Sequence, residues 1–234
     1  MIDLHYFPTP NTWKVAIMLE ECGLPYRLVP VDITADAQFA PDFLKISPNN
    51  RVPAIVDHDA PGGPQSVFES GAILLYLAER TGRFLAPSGP VRVAALEWLM
   101  WQMGGLGPMA GQAHHFRRYA PEGNDYVVAR YTNECARLYR VLDARLAGRS
   151  WIADDYSIAD MACWGWVWFH RLHGQDLADF PEVRRWFEAM SARPAVSRAQ
   201  SLGHDLVSPA FAAVLQQPFY SEDAQFAAGE TRVK

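Results

Sequence analysis

The spacing of apolar residues along the chain changes near residue 86. Before this point, short apolar segments typical of strands alternate with amphipathic runs typical of helices. We predict strands and helices, in chain order, at Ile2–Tyr6 (strand), Thr12–Glu21 (helix), Tyr26–Val31 (strand), Pro41–Ile46 (helix), Ala54–Asp57 (strand), Ser66–Phe68 (strand) and Ser70–Glu79 (helix). The order is βαβαββα, so residues 1–86 should form an α/β domain.

Only helical spacing follows the segment Ala86–Pro90, whose Pro, Ser and Gly residues are typical of an exposed linker. The predicted helices are Val91–Met103, Asp125–Leu146, Ile158–Leu172 and Glu182–Ala192. Ser157 and Asp160 have the spacing of a capping box at the start of the third of these helices. We therefore predict an all-helical domain over residues 91–202, with residues 203–234 as a C-terminal extension.

Composition narrows the classes of function. The chain has 234 residues and a net charge of −5, so a general nucleic-acid binder is not expected. No apolar stretch approaches the ~20 residues that a membrane-spanning helix requires. Three cysteines without CxxC or metal-like spacing fit a reducing compartment, and the N-terminus does not resemble a signal peptide. We expect a cytoplasmic protein.

Pro53 stands at the start of a predicted apolar strand. Because proline has no N–H to donate to a sheet, it belongs at the first residue or the edge of a strand. A cis peptide bond there would present the backbone of Val52 outward, where the main chain of a peptide ligand could pair with it. An ordinary turn proline is the alternative interpretation.

Glu69 and Ser70 lie where a predicted strand gives way to a predicted helix. The free N–H groups of a helix N-terminus and a serine hydroxyl can hold a carboxylate, while the glutamate can pair with an ammonium group. The two residues together suit the head group of an α-amino acid. A plain helix cap beside an acidic residue is the alternative.

These two motifs, NRVPAIVD at 50–57 and ESGAILLYLAE at 69–79, resemble the glutathione-binding signature of the glutathione transferase family at its usual spacing. SIADMACW at 157–164 resembles the capping motif of that family's helical domain. The segments most similar to the bacterial Nu class are TPN at 9–11, ISPNNRVPAIVDH at 46–58 and WQMGGLGPMAGQAHHF at 101–116. The resemblance covers nearly the whole chain. It implies a thioredoxin-like domain followed by a helical-bundle domain, and a homodimer.

The resemblance further implies that glutathione is bound as a co-substrate, as one molecule, two molecules or the disulfide per site. Val52 would bind it through the backbone beside Pro53. Glu69 and Ser70 would hold the γ-glutamyl end, in agreement with the physical argument above.

Other roles come from the resemblance alone. It places Thr9 and Asn11 at the glutathione sulfur. It also implies that Gln38 and Arg51 contact the glycyl or backbone end of the ligand. Arg130 would reach the site of the neighbouring subunit.

The turn before the first helix lacks the tyrosine, serine or cysteine that many relatives use there. Tyr6 lies within a predicted strand and Cys22 near the end of the predicted helix. Thr9 and Asn11 instead bring a hydroxyl and an amide to the helix start, where both could donate to a thiolate. We therefore expect these two residues to be catalytic, and the nucleophile to be the sulfur of glutathione.

Resemblance to the Nu class implies reduction of organic disulfides by glutathione, with peroxide reduction and modest transfer to electrophiles as further activities. We hypothesise an enzyme, a glutathione-dependent thiol–disulfide oxidoreductase acting on small disulfides. Two alternatives stay open: a general glutathione transferase acting on electrophilic small molecules, and a non-catalytic glutathione- or partner-binding protein.

Three other features are interpreted as structural. His114 and His115 are adjacent, so in a helix they point about 100° apart, and no metal is expected. Gly104–Pro108 lacks the preceding strand and the Lys-Ser/Thr pair of a phosphate loop, so it predicts a helix break. The apolar side chains just before this segment should pack in the core, with the wall of a substrate cleft as the alternative; they are Trp98, Met100, Trp101 and Met103.

Overall fold

A computed structural model describes residues 1–121, 123–207, 209, 212 and 215. The strands are β1 (Ile2–Tyr6), β2 (Tyr26–Pro30), β3 (Ala54–Asp57) and β4 (Gln65–Phe68). The helices are α1 (Pro10–Cys22), α2 (Pro41–Ile46), α3 (Ser70–Thr81), α4 (Gly89–Trp101), α5 (Gly107–Arg118), α6 (Asp125–Leu146), α7 (Ile158–Trp168), α8 (Pro181–Ser191) and α9 (Pro194–Ser201). A π-helical turn, Gln102–Leu106, joins α4 to α5, and a 3-10 turn, His170–His173, follows α7.

The sheet has the strand order β2-β1-β3-β4. Strand β1 pairs in parallel with β2, where Leu4 faces Leu28, and antiparallel with β3, where Leu4 faces Ile55. Strand β4 pairs antiparallel with β3. Every residue of β1 is buried, as expected for an inner strand covered by helices. The predicted βαβαββα order is confirmed, and with it the thioredoxin-like domain followed by a helical domain.

Helix α1 joins the sheet to the helical domain. Its fully buried Trp13 stacks on Phe169 with ring centroids 5.5 Å apart and contacts Trp164 at 5.8 Å. Truncation of a buried tryptophan such as Trp13 to alanine typically costs about 3–5 kcal/mol. The first turn of α1 lies against Gly165 of α7, where an added Cβ would be 2.9 Å from the carbonyl oxygen of Pro10. The position of this turn is therefore set by the helical domain.

The predicted helix break at Gly104–Pro108 is wrong. The chain continues from the π-helical turn directly into α5, which begins at Gly107. Pro108 lies in the first turn of α5, where its missing N–H costs no helical hydrogen bond. A Cβ at Gly107 would lie 2.7 Å from Nε2 of Gln102, so glycine allows the two turns to approach closely.

Other helix boundaries differ less from the prediction. The predicted Ile158–Leu172 helix ends at Trp168, and α5 and α9 lie outside the four predicted runs. The capping box of α7 is confirmed, since Ser157 Oγ accepts from the N–H of Ala159 and Asp160 accepts from the N–H of Ser157.

The predicted domain boundary at Ala86–Pro90 falls between α3 and α4 and stays a prediction. The predicted extension, residues 203–234, lies outside the described residues from 208 onward, apart from 209, 212 and 215. None of the helices in the described part of the chain is long and apolar enough to cross a membrane.

Candidate active site

A cavity of about 240 Å³ opens between the N-terminal ends of α1 and α3 and the segment before β3. Six of the predicted site residues line it: Asn11, Arg51, Val52, Pro53, Glu69 and Ser70. The remaining wall comes from residues that sequence reasoning did not assign to the ligand, namely Ser47, Asn49, Phe68 and Met103. Met103 packs against the core, as predicted, and also forms part of the cleft wall. Trp98 and Trp101 pack against the core too, whereas the prediction is wrong for Met100, which is 57% exposed.

The segment before β3 has the predicted geometry. The peptide bond between Val52 and Pro53 is cis, so the cis interpretation of this proline is correct. Ser47 Oγ donates to the carbonyl oxygen of Arg51 at 2.8 Å and holds the segment against the end of α2. Val52 and Pro53 consequently lie at the cavity on a segment tied to its neighbour.

Glu69 and Ser70 bring two opposite electrostatic features together. Glu69 has φ 70° and ψ 117°, a region that non-glycine residues seldom occupy, and such strain is often found at functional sites. Its exposed carboxylate accepts a hydrogen bond from Asn49 Nδ2 at 3.3 Å. Ser70 is buried at the first position of α3, where helical N–H groups have no partner within the helix. This pair can hold an ammonium and a carboxylate side by side.

Asn11 is oriented by a partner from the helical domain. The indole N–H of Trp166 on α7 donates to Asn11 Oδ1 at 3.1 Å. Because an indole nitrogen can only donate, the carbonyl side of the amide must face Trp166. The amide NH₂ group is then the part of Asn11 that is left to donate to a ligand in the cavity.

Thr9 has a different setting, outside the residues that line the cavity. It is the N-cap of α1, and its Oγ1 accepts from the N–H of Thr12 at 3.3 Å. The Thr12 hydroxyl donates to the carbonyl oxygen of Phe7 at 2.5 Å and lies 3.1 Å from the Thr9 hydroxyl. Because the Thr12 hydroxyl donates its proton to Phe7, the Thr9 hydroxyl must be the donor in the contact between the two hydroxyls. A catalytic role for Thr9 stays a prediction.

Gln38 and Arg130, both predicted to contact glutathione, lie elsewhere. Gln38 is buried in the 3-10 turn Ala37–Phe39, and its Oε1 has no partner among the described residues. Arg130 on α6 lines a second cavity of about 680 Å³, together with Tyr126 and Arg137. Neither side chain lines the cavity that contains Asn11.

None of the protein's cysteines lines the site cavity. Cys163 and Cys135 are buried, and burial raises the pKa of both thiols, that of Cys135 to about 12. Burial also raises the pKa of Cys22, which lies near the end of α1. Tyr6 is fully buried in β1 and its hydroxyl donates to the carbonyl oxygen of Leu202. A thiolate nucleophile in this cavity must therefore come from a ligand.

The cavity has no cluster of metal ligands. Among the residues that the structure describes, no group of three or more His, Cys, Asp and Glu side chains could hold a metal ion. His114 is instead packed against the aromatic rings of Tyr119 and Phe169.

Comparison with known proteins identifies two matching family models and several relatives. The model described as glutathione S-transferase, N-terminal domain, matches residues 9–80, and that for the C-terminal domain matches residues 107–194. A relative from Escherichia coli (strain K12), the disulfide-bond oxidoreductase YfcG, is 54% identical over 202 residues, which cover 85% of this chain and 94% of the relative. The disulfide-bond oxidoreductase YghU of the same organism is 38% identical and covers 85% of this chain and 74% of its own.

Solved structures agree with these matches. A glutathione transferase from Pseudomonas putida, with one glutathione disulfide bound per subunit, is 44% identical with a TM-score of 0.82 and covers 86% of this chain and 91% of its own. A family member from Pseudomonas fluorescens pf-5, with two glutathione molecules bound, is 45% identical with a TM-score of 0.80 and covers 85% and 91%.

Proposed function

Because the chain belongs to the glutathione S-transferase family, we propose that it is an enzyme that reduces small organic disulfides with glutathione. One observation carries the proposal. The Asn11 amide shares a single cavity with Glu69 and Ser70, and none of the protein's cysteines lines it. One end of this site can bind an amino-acid head group, and the other end offers a hydrogen-bond donor to a thiolate. Such a site suits glutathione as the source of the nucleophile. The names of YfcG and YghU support this reaction class.

The proposed chemistry is two thiol–disulfide exchanges. The thiolate of the first glutathione attacks one sulfur of the substrate disulfide, forms a mixed disulfide and releases one substrate thiolate. A second glutathione thiolate attacks the glutathione sulfur of that mixed disulfide and releases the other substrate thiolate. Two glutathione molecules are thereby oxidised to their disulfide while the substrate disulfide is reduced to two thiols. Bound glutathione disulfide or two bound glutathiones in the Pseudomonas structures fit such a sequence.

Positioning of the sulfur should contribute more to the rate than its ionisation. If the site lowered the thiol pKa from about 8.5 to about 6.5, the thiolate fraction at pH 7 would rise roughly 25-fold. With a Brønsted slope of about 0.45, its intrinsic nucleophilicity would fall roughly 8-fold, leaving a gain of about 3-fold. Holding two reactants in line can contribute about 7–11 kcal/mol. We therefore assign Asn11 the role of orienting the sulfur as well as stabilising its charge.

Three further assignments belong to this proposal. Arg51 at the cavity mouth and the backbone of Val52 would bind the remainder of the glutathione peptide. Gln38 lies outside the cavity, so its predicted contact would require the ligand to extend beyond the lining residues.

We also propose a homodimer in which Arg130 reaches the partner's site. Its place in a second cavity with the exposed Tyr126, away from the first, supports a role at an interface. Sedimentation should give twice the monomer mass of 26.3 kDa. The cytoplasmic location expected from the cysteines stays a prediction.

The decisive experiment measures reduction of hydroxyethyl disulfide by glutathione for the wild type, Asn11→Ala and Asn11→Asp. Asn11→Asp keeps an oxygen acceptor for Trp166 and places an acid in the first turn of α1, where it suits the helix dipole. It replaces the amide donor by a charge that repels a thiolate. We expect kcat/KM to fall about 10- to 100-fold in both variants, the value of one hydrogen bond to a charged group.

Three outcomes would redirect the assignment. Full disulfide turnover by Asn11→Asp would remove Asn11 from the mechanism. Dominant turnover of an aryl halide by the wild type would favour the general transferase, and glutathione binding without turnover of either substrate would favour a binding protein.

A further inference from the structure

A lysine side chain is buried directly behind the wall of the site cavity. Lys14 on α1 is only 1% exposed. Its Nζ lies 2.6 Å from Gln102 Oε1, 3.2 Å from Ser70 Oγ and 3.3 Å from Met103 Sδ. Ser70 and Met103 line the cavity on their other side, so the lysine is one side chain away from a bound ligand.

The ammonium group of Lys14 has neutral partners. The three contacting atoms belong to an amide, a hydroxyl and a thioether. No ion pair joins Lys14 to a carboxylate anywhere among the described residues. A buried charge without a counter-ion is costly, and burial lowers the pKa of Lys14 to about 7. Among the described residues, therefore, no carboxylate lies in direct contact with this cation.

The elements packed on α1 offer two titratable groups to this ammonium. Cys163 on α7 and Glu69 at the start of α3 face it at longer range, and a negative charge on either would favour its charged form. Burial raises the pKa of Cys163 far above neutrality, so that thiol carries no charge at pH 7. On α9, Arg198 lies at the opposite end of α1 and pairs with Glu20.

Ser70 links the lysine to the cavity. Because the charged ammonium donates to Ser70 Oγ, the hydroxyl proton of Ser70 must point away from Lys14. The Met103 sulfur, at 3.6 Å, is a weak acceptor for that proton. A carboxylate at the N-terminus of α3 would be a far stronger one, and its charge would lie close to the buried cation.

We propose that Lys14 is a positioning residue whose ammonium supplies the counter-charge for the α-carboxylate of the γ-glutamyl group bound at Ser70, and that ligand binding draws a proton onto Lys14. The inference rests on the proposed glutathione site and adds to it a residue that makes no contact with the ligand. Neutral Lys14 would accept the Ser70 proton and turn the hydroxyl away from the cavity. The ligand and the proton therefore favour each other's binding.

The linkage predicts two measurable quantities. With a pKa of about 7 in the free protein and a much higher one in the complex, binding at pH 7.5 should take up about 0.7 proton. The affinity should fall about tenfold between pH 6 and pH 8, as free Lys14 loses its proton.

The test is calorimetric titration with S-methylglutathione, whose blocked sulfur cannot release a proton. Titrations at pH 7.5 in two buffers of different ionisation enthalpy give the number of protons taken up. Lys14→Met removes the charge at similar length, and Lys45→Met makes the same change at an exposed site on α2. We expect proton uptake in the wild type and in Lys45→Met, and its loss, with weaker binding, in Lys14→Met.

The wild-type result can overturn the proposal by itself, even if Lys14→Met does not fold. Binding of S-methylglutathione without proton uptake, and with a flat pH dependence, would overturn the role of Lys14 and leave the glutathione site in place. Proton uptake that persists in a folded Lys14→Met would assign it to another group, such as the ligand's amine beside Glu69, and would overturn the role too. An absence of binding to the wild type would overturn the proposed site together with this inference.

Discussion

Asn11 and Thr9 lie in one turn, but their side chains have different hydrogen-bond partners. The carbonyl oxygen of Asn11 is occupied by Trp166, which leaves the amide NH₂ for the cavity. The Thr9 hydroxyl closes the capping box of α1 with Thr12. At the scale of single residues, the orientation of Asn11 therefore depends on an indole from the other domain, whereas Thr9 is held by its own helix.

Trp166→Phe tests this orientation. The change removes the indole N–H and keeps an aromatic ring, so Asn11 should lose about 1 kcal/mol of hydrogen bonding and its preferred amide direction. We expect kcat/KM for disulfide reduction to fall about 5-fold, and the pKa of the bound glutathione thiol, followed by thiolate absorbance, to rise. Trp98→Phe, the same change beside Trp101 on α4, should leave both quantities unchanged. An unaltered thiol pKa in Trp166→Phe would refute the orienting role.

Thr9→Val should act mainly on stability. Loss of an N-cap hydroxyl costs about 1 kcal/mol, which lowers the Tm of a chain of this size by about 2–4 °C. Thr9→Ser retains the cap and should keep the wild-type Tm in a thermal melt. If Thr9→Val instead lowered kcat/KM as much as Asn11→Asp without a change in Tm, the Thr9 hydroxyl would be a donor to the sulfur, as the sequence suggested.

The sequence predicted which residues lie at the candidate site but not which distant residues contact them. Glu69, Ser70 and Pro53 carry local signals, a helix start and a strand entrance, and the structure places all three at the cavity. Lys14 and Trp166 lie within apolar helical runs, where a lysine or tryptophan gives no local sign of contact with a ligand residue. Their roles depend on the packing of distant segments, which spacing along the chain does not encode.

At the scale of elements, the approach of α7 to α1 fixes the turn that carries Asn11. Gly165 lies at a tight contact between the two helices, where an added Cβ would be 2.9 Å from the carbonyl oxygen of Pro10. Trp13 and Phe169 stack beside this contact. A change at Gly165 would therefore be transmitted to the residue next to Pro10, which is Asn11.

Two effects of known size act in opposite directions in Gly165→Ala. Alanine gains up to about 1 kcal/mol of helix propensity over glycine, while overpacking against a rigid backbone costs about 1–3 kcal/mol. Since the contact is with the backbone of Pro10, we expect net destabilisation in urea unfolding and a lower kcat/KM. Gly104→Ala, with open space around its Cβ, should be neutral or stabilising. Equal stability and activity of the two variants would show that α1 and α7 can separate without consequence.

Element prediction succeeded where local signals were strong. The bounds of α2, α6 and β3 agree with the sequence prediction, because proline, charge and strand residues mark their ends. Gly104–Pro108 was misinterpreted because glycine and proline usually end a helix. Here Gly107 allows the close packing of Gln102 and Trp166, a tertiary requirement that overrides local propensity.

At the scale of the whole molecule, the helical domain places three histidines around the end of α7, with His170 and His173 buried and His114 half-buried. Burial lowers the pKa of His114 and of His170 to about 4, and it holds the pKa of His173 well below its usual value. Both ring nitrogens of His173 and Nε2 of His114 have no hydrogen-bond partner among the described residues. These rings are therefore neutral in the folded protein over a range of pH in which an unfolded chain would protonate them.

This difference makes the fold sensitive to mild acid. A group whose pKa is lower in the folded state stabilises the fold fully above its unfolded pKa of about 6.5, and this stability is lost as the pH falls towards the folded value. Between pH 7.5 and pH 5.5, each such histidine should remove about 1 kcal/mol from the free energy of unfolding. Asp160, whose pKa burial raises to about 6, acts in the opposite direction as the pH falls.

His173→Phe should reduce the acid sensitivity of the whole molecule. The substitution replaces a buried neutral ring by one that cannot titrate. Urea unfolding should therefore show that the free energy of unfolding falls by about 1 kcal/mol less between pH 7.5 and pH 5.5 than in the wild type. His115→Phe, at an exposed position on α5, should keep the wild-type difference. A packing effect of the new ring changes the free energy of unfolding equally at both pH values, so it cancels in the difference between them. The difference therefore reports titration alone. If His173→Phe lost as much free energy of unfolding between pH 7.5 and pH 5.5 as the wild type does, His173 would gain no protons on unfolding in this range. The acid sensitivity would then lie in other groups.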